Sequence, residues 1–465
     1  MIKVFGVVVA AAMLSMNGRA AHNETREAVV SDNEYEEPSA PTNDRTIVDI
    51  PQLLASARGA PKVICALAAN SLRNYGWGDS DAPATPLGIT ISLRENDTPM
   101  QLSKENVDLL LSSLSSDDAC VREIGVRIAS RRNTPALTNG LITRLGDNSP
   151  SVREVAALGL GLSEASEAVE PLMHTLRDNV DSVRANAAWA LGRLEAGKAL
   201  GQLMGMFGDN SSMVREASVA AVGHMDSTRA APTLIRVLRS DDSPNVRRVA
   251  AWALGNLESR EAVEALSSSL GSDSDARVRE MSAWALGNIE SRSATTALVN
   301  AARRDGDDRV RETAVWALGN IEDANAVSVL GEIAGQDRSS RVRGTAAWAL
   351  GQVLDEGGRA PAGLLKLLSD ESADTRMKAA WALGQMGDSA ALPAIRAAIK
   401  SEKNEEVNRA LIRALMKSGE RSEAALTELI DSKDPRVREA AVRGLAGRSS
   451  FNPWPWPWPR PRPFP

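Results

Sequence analysis

Histidine, cysteine and the smaller aromatics are scarce in this chain of 465 residues, which holds three His, two Cys, two Tyr and four Phe. His174 and His224 have no ligand-like neighbour three or four residues on, and His22 stands near the start, so local spacing builds no metal set. There is no H-E-x-x-H, C-x-x-C, phosphate-binding glycine loop or nucleophile elbow. A basic excess is missing too: 54 Lys and Arg stand against 60 Asp and Glu, a net charge of −6, with no basic stripe. That balance argues against nucleic acid and against anionic membrane surfaces as partners. Catalysis and polyanion binding have little to work with.

What the chain does have is a period. One phrase reads VRRVAAWALGNL from Val246, VREMSAWALGNI from Val278, VRETAVWALGNI from Val310 and VRGTAAWALGQV from Val342, at steps of 32 residues. Fainter copies begin at Val121, Val152, Val183, Val214, Thr375, Val407 and Val437, which makes eleven units. A period of this length means stacked supersecondary units, and such a stack commonly works as a binding surface.

The phrase is a helix. At 100° per residue Val246, Ala250, Ala253, Leu254 and Leu257 fall on one side, the apolar stripe of an amphipathic helix. A second helical pattern precedes each copy, as in Ala230, Leu234, Leu238 and in Ala262, Leu266, Leu270. A polar turn such as Ser240 to Asn245 joins the two and offers N-caps and a Pro start. Neither helix buries its apolar face alone, so stacked units must share one continuous core. Gly161, Gly192, Gly223, Gly255, Gly287, Gly319, Gly351 and Gly384 each stand nine places into their phrase. Gly inside a helix costs about 1 kcal/mol against Ala, so its repetition points to close approach between successive units.

The pattern V-R-x-x-A-A-x-A-L-G, recurring in register over roughly residues 105 to 447, resembles the HEAT repeat of the phycobilin-lyase type. The resemblance implies an all-α fold: a right-handed α-solenoid of about eleven two-helix HEAT-like repeats, binding other macromolecules along its length. The phycobilin lyases act on a cytoplasmic pigment protein. Deoxyhypusine hydroxylase, an enzyme of similar repeat architecture, holds di-iron through His-Glu dipeptides, and this chain has none.

The ends differ from the middle. Residues 1–20 read as a secretory signal peptide: Lys3, an apolar stretch from Val4 to Leu14 too short to span a membrane, and small residues at Gly18 and Ala20. Losing Lys3 and Arg19 would take the charge from −6 to −8. Residues 21–46 read as a disordered acidic linker. Residues 47–104 offer an N-terminal helical cap, with short helices over 51–58 and 61–73, and then a long loop. The repeats fill 105–448, and 449–465 is a Pro/Trp/Arg-rich tail. Its seven prolines at every second place leave only polyproline II, from which Trp454, Trp456, Trp458, Arg460, Arg462 and Phe464 fan out with no core to enter. That tail reads as a docking element for a protein, cell-wall glycan or membrane interface, or as an unselected low-complexity end.

Four registered rows carry the candidate site. Trp189, Trp252, Trp284, Trp316, Trp348 and Trp381 share one phrase position, off the main apolar stripe on the helix wheel. The rings either rest on small residues of an adjoining unit, as large aromatics at helical spacing usually do, or form an open ladder that stacks a peptide or glycan. Arg122, Arg153, Arg184, Arg215, Arg247, Arg279, Arg311, Arg343, Arg376 and Arg438 follow the first phrase position. Five places before that position stand Asp147, Asp178, Asp209, Asp241, Asp273, Asp305, Asp337, Asp370 and Glu402. Matching rows of opposite charge favour stitching between units over a grip on an acidic partner. Asn256, Asn288, Asn320, Gln352 and Gln385 lie one turn past the Trp row, as C-terminal caps or as a hydrogen-bonding lane for an extended backbone. Cys65 and Cys120 make an even pair, which in an exported chain reads as a disulfide pinning the cap to the first unit, against two buried thiols.

Together these readings describe an exported, non-catalytic protein–protein interaction scaffold of the periplasm or cell surface, with no cofactor and no metal. The partner is another protein, met on the Trp rows or through the tail. The alternatives are a bilin lyase-like or iron-dependent enzyme of the same repeat superfamily, and the extracellular partner of a membrane peptidase or receptor.

Overall fold

The computed structural model describes residues 49–61, 65, 102–132, 134–225, 227–354 and 357–419, with a few single positions up to 442. The signal-like start, the acidic linker, the second cap helix except Cys65, most of the loop, the eleventh unit except for single residues, and the tail lie outside the described residues. The described residues, from Asp49 on, belong to one compact unit.

Among the described residues there is no strand. After the cap helix Ile50–Ala57 come ten helix pairs, from Lys104–Ser113 with Ala119–Arg132 to Leu392–Ser401 with Glu405–Lys417. In each pair the first helix is called A and the second, built by the repeated phrase, B. The pair Ala231–Ser240 and Pro244–Asn256 is representative. Leu234 and Leu238 of its A helix and Val246, Ala250, Ala253 and Leu254 of its B helix are all buried. Each B helix packs on the B helices before and after it and on its own A helix, and one apolar cluster runs from Leu114 to Leu429. The core is therefore continuous and built from local contacts, as the 3.6-residue period requires. The A helices vary more. Leu200–Gly205 is short because Gly201, Gly205 and Gly208 carry no side chain, and the chain tightens into a one-turn helix at Met206–Gly208.

The turn between A and B works differently from the capping expected of it. Ser243 stands at the N-cap of Pro244–Asn256 without a side-chain cap bond. Instead Asp241 Oδ1 accepts from Ser243 N at 2.9 Å, closing the turn on itself. Side-chain caps do appear at Asp275, Asp307, Ser372 and Asn404.

The B helices end in an unusual way. Glu164, Glu195, Glu258, Glu290 and Glu322 take φ of +45° to +52°, the left-handed conformation usually given to Gly at this place. Gly387 and Gly419 occupy the same position in later units. Behind them Ala165 N reaches Leu160 O, Ala196 N reaches Leu191 O and Ser259 N reaches Leu254 O, the six-to-one bonds of a Schellman ending. A glutamate Cβ is strained there, by roughly 1 kcal/mol. Replacing Glu258 and Glu322 by Gly is expected to stabilise the protein by up to about 1 kcal/mol, net of the freedom Gly adds to the unfolded chain. A urea midpoint that falls in the double variant would show that the glutamate side chains matter more than the backbone.

Candidate functional site

The Trp, Arg and amide rows lie on the B helices and the acidic row in the turns between A and B, and the fold gives each its own task. The Trp row packs. Trp252, Trp284, Trp316 and Trp348 are buried, and Trp189 and Trp381 nearer the ends of the array are half-buried. Each ring reaches back over the glycine of the unit before. A Cβ built on Gly287 would stand 2.7 Å from Trp316 Cζ3, and one on Gly319 would stand 2.7 Å from Trp348 Cζ3. The same Cβ on Gly287 would meet Ala317 Cα at 3.0 Å, so the glycine lets neighbouring B-helix backbones approach. The helix wheel sets Trp off the apolar stripe because it describes one helix. The groove that takes the ring belongs to the preceding helix.

The Arg row stitches. Eight pairs run from Arg153–Asp178 to Arg376–Glu402, each joining one unit to the next. In Arg279, Nε donates to Asp305 Oδ2 at 2.8 Å and Nη2 to Asp305 Oδ1 at 2.9 Å, while Nη1 donates to the carbonyl of Asp273 in its own unit at 2.9 Å. Asp305 Oδ1 also accepts from Asp307 N at 2.9 Å. Every rung thus ties a turn, its own B helix and the following turn together. These bidentate, mostly buried pairs belong to the strong class of ion pair.

Their pKa values follow. The Arg153 hydrogen bond holds the Asp178 carboxyl below its ordinary value, and Arg376 does the same for Glu402. For Asp209, Asp241, Asp273 and Asp305, burial pushes upward, but the Arg and backbone hydrogen bonds outweigh it and the net shift is down. Carboxylates with depressed folded values add stability above the unfolded pKa of about 4 and lose it as pH falls through the folded values. Glu280 and Glu312 act in the opposite sense, because burial raises both, but they are two against six. The urea midpoint is therefore expected to drop steeply below about pH 4.5. A midpoint unchanged between pH 6 and pH 3 would mean that the ladder adds nothing to stability.

The amide row is divided. Asn256 Nδ2 donates to Gly223 O at 3.2 Å, capping the end of the previous B helix, and Gln385 Oε1 accepts from Lys417 Nζ at 2.7 Å. Between them Asn288, Asn320 and Gln352 are half-buried, and their side chains make no hydrogen bond within the protein. Eight residues before Asn288 and Asn320 stand Glu280 and Glu312, half-buried carboxylates that the sequence did not single out. The equivalent place holds Arg248 one unit earlier and Gly344 one unit later, so no registered row marks them.

The remaining candidates lie elsewhere. Cys65 and Cys120 are joined in a disulfide with a Cα–Cα distance of 5.6 Å. Trp454, Trp456 and Trp458 lie outside the described residues. His224 stands edge-on to Trp252, ring centroids 4.9 Å apart, and His174 sits in another unit. Among the described residues no group of three or more His, Cys, Asp or Glu is placed to hold a metal ion, and no helix is long and apolar enough to cross a membrane.

Stacked helix pairs with a common core and a side-chain ladder define an α-solenoid. The chain belongs to the HEAT-repeat family, whose model matches residues 107–192, 169–242, 231–312, 295–362 and 361–446. A comparison with curated proteins gives no match. Among solved structures the fold is similar to yeast importin-beta (Kap95p), with a TM-score of 0.50 and 14% identity over 75% of this chain and 58% of that one. An engineered protein gives a TM-score of 0.40 at 21% identity, over 75% of this chain and 100% of its own. Human deoxyhypusine hydroxylase in complex with glycerol gives 0.26 at 22% identity, over 54% and 96%. The importin-beta likeness is one of fold alone. Solenoids of HEAT repeats are commonly protein-interaction scaffolds.

Proposed function

We propose that this protein is an exported, non-catalytic scaffold that binds another protein along the B-helix face. One observation carries the reading. In a stack whose Arg ladder is paired and whose central Trp rings are buried, three successive units present carboxamide side chains with no partner of their own. Such groups on an extended repeat surface are what a bound polypeptide uses. The disulfide supports export, since these bonds persist in oxidising compartments, and so does the signal-like start.

Cross-linking from a photoreactive residue at position 320 is expected to capture protein, and mass analysis to find a mature chain starting near Ala21. Iron or a tetrapyrrole bound at one per chain would sink the non-catalytic reading. The tail supplies a second contact in this scheme. Deleting residues 450–465 should leave the melting temperature unchanged and reduce association with cells or membranes, whereas loss of the last repeats would make the tail a structural cap.

A further inference from the structure

The free stretch of the B-helix face is specific enough to name the kind of chain it takes. Asn288, Asn320 and Gln352 hold one place in three successive units, bounded on either side by the engaged Asn256 and Gln385. A carboxamide carries donors and an acceptor together and so matches a peptide backbone better than a phosphate or a lipid chain. Trp284 and Trp316 lie one turn before the amides, and Glu280 and Glu312 one turn before the rings. Residues four and eight apart share a helix face, so the units at Val278 and Val310 set carboxylate, buried ring and amide in a line about 12 Å long, while the unit at Val342 has Gly344 at the carboxylate place.

Spacing selects the conformation of the guest. Packed helices stand about 8–10 Å apart, and polyproline II advances ~3.1 Å per residue with three residues per turn, so one turn covers ~9 Å. A β-strand repeats every two residues, ~6.6 Å, and drifts out of step. A polyproline II chain instead offers an equivalent residue to every unit, and its carbonyls have no internal partner.

Charge selects the side chains. Glu280 is half-buried, with no cation within ion-pair distance among the described residues. The guanidiniums whose charges reach it have carboxylates of their own: Arg309 Nε stands 3.7 Å from Asp307, Arg341 Nη2 stands 2.9 Å from Asp308, and Arg248 Nη2 stands 3.8 Å from Glu216. Glu312 receives only a 3.5 Å bond from the Thr345 hydroxyl and Arg341 Nε at 3.7 Å. A half-desolvated carboxylate in this position gains from a cation brought by the ligand.

We infer that the B-helix face of the units at Val278, Val310 and Val342 binds a partner polypeptide segment in polyproline II conformation that carries Lys or Arg at every third residue. Asn288, Asn320 and Gln352 hold its backbone, and Glu280 and Glu312 take its cations. The inference rests on the scaffold reading and deepens it.

The test is a fluorescence-anisotropy titration of the full mature chain with a labelled peptide of four Pro-Pro-Lys triplets. Peptides of Pro-Pro-Glu and Gly-Ser-Lys triplets of equal length serve as controls. The Pro-Pro-Lys peptide is expected to bind at least about tenfold more tightly than either control. Changing Asn288, Asn320 and Gln352 together to Ala should weaken it by about tenfold or more at an unchanged melting temperature, since these amides have no partner to lose. Glu280→Gln with Glu312→Gln should weaken it and flatten its salt dependence. If the triple variant folds poorly, Asn320→Ala alone should still weaken binding.

Equal binding of the Gly-Ser-Lys peptide, no binding of the Pro-Pro-Lys peptide, or binding unchanged in both sets of variants overturns the inference. A rise of about tenfold in affinity on deleting residues 450–465 makes the chain's own tail the occupant, and also overturns it. Capture of a protein from position 320 with no Pro-Pro-Lys binding removes this inference and leaves the scaffold standing. Loss of both removes both.

Discussion

Replacing Trp316 by Ala is expected to cost about 3–5 kcal/mol, the range for removing a buried large aromatic. The ring is 9% exposed and reaches across a unit boundary, with Cζ3 over Gly287. Its loss opens a cavity between two B helices, where coupling between units is made. Urea unfolding should then broaden as well as shift, because an array broken in the middle no longer melts as one. Trp189 and Trp381 are half-buried, and their truncation should cost less. Gly287→Ala is expected to destabilise by about 1–3 kcal/mol through overpacking. The two changes will not be additive, since the added methyl competes with the ring for one space, and a double-mutant cycle should show the coupling directly. If Trp316→Ala melts normally and loses its protein partner instead, the rings serve as a binding ladder and the packing account is wrong.

Much of this was legible in the sequence, and the parts that were not share a cause. Val246, Ala250, Ala253 and Leu254 announce their burial because one helix with a period of 3.6 residues must hide one side. The Arg and Asp rows announce a ladder because they match in register. Its direction was hidden: Arg279 donates to a backbone carbonyl in its own unit and to a carboxylate in the next, and no spacing along the chain distinguishes the two. The Trp groove was hidden for the same reason, because Trp316 on one helix fills the space over Gly287 on another. The left-handed glutamates gave no signal, because the residue that usually marks that conformation is Gly. Glu280 and Glu312 gave none because their neighbours in the row are Arg248 and Gly344. Single-helix patterns survive into the fold, and features made by two units at once need the coordinates.

Reducing the single disulfide should have an effect as large as the tryptophan change but confined to one end. Cys65 and Cys120 close a loop with a sequence separation of 55. In the chain-entropy model a loop of that size contributes about 4 kcal/mol. The bond sits beside a second tie between the same parts: Gly59 N donates to Asp118 Oδ2 at 2.7 Å, and Asp118 Oδ1 accepts from Cys120 N at 2.8 Å. The Gly59 bond, then that from Val121, holds the Asp118 carboxyl below its ordinary value. Ile50, Leu54 and Ala57 of the cap helix are buried, so the cap covers the apolar end of the first unit. With reductant, or with both cysteines changed to Ala, amide exchange in Ile50–Ala57 is expected to speed up by up to about three orders of magnitude. The central units should keep their protection, because in a repeat stack each unit feels only its neighbours. Unchanged exchange in the cap would mean that Asp118 and the apolar contacts hold it unaided. Loss of protection along the whole array would mean that the cap nucleates a stack that cannot stand without it.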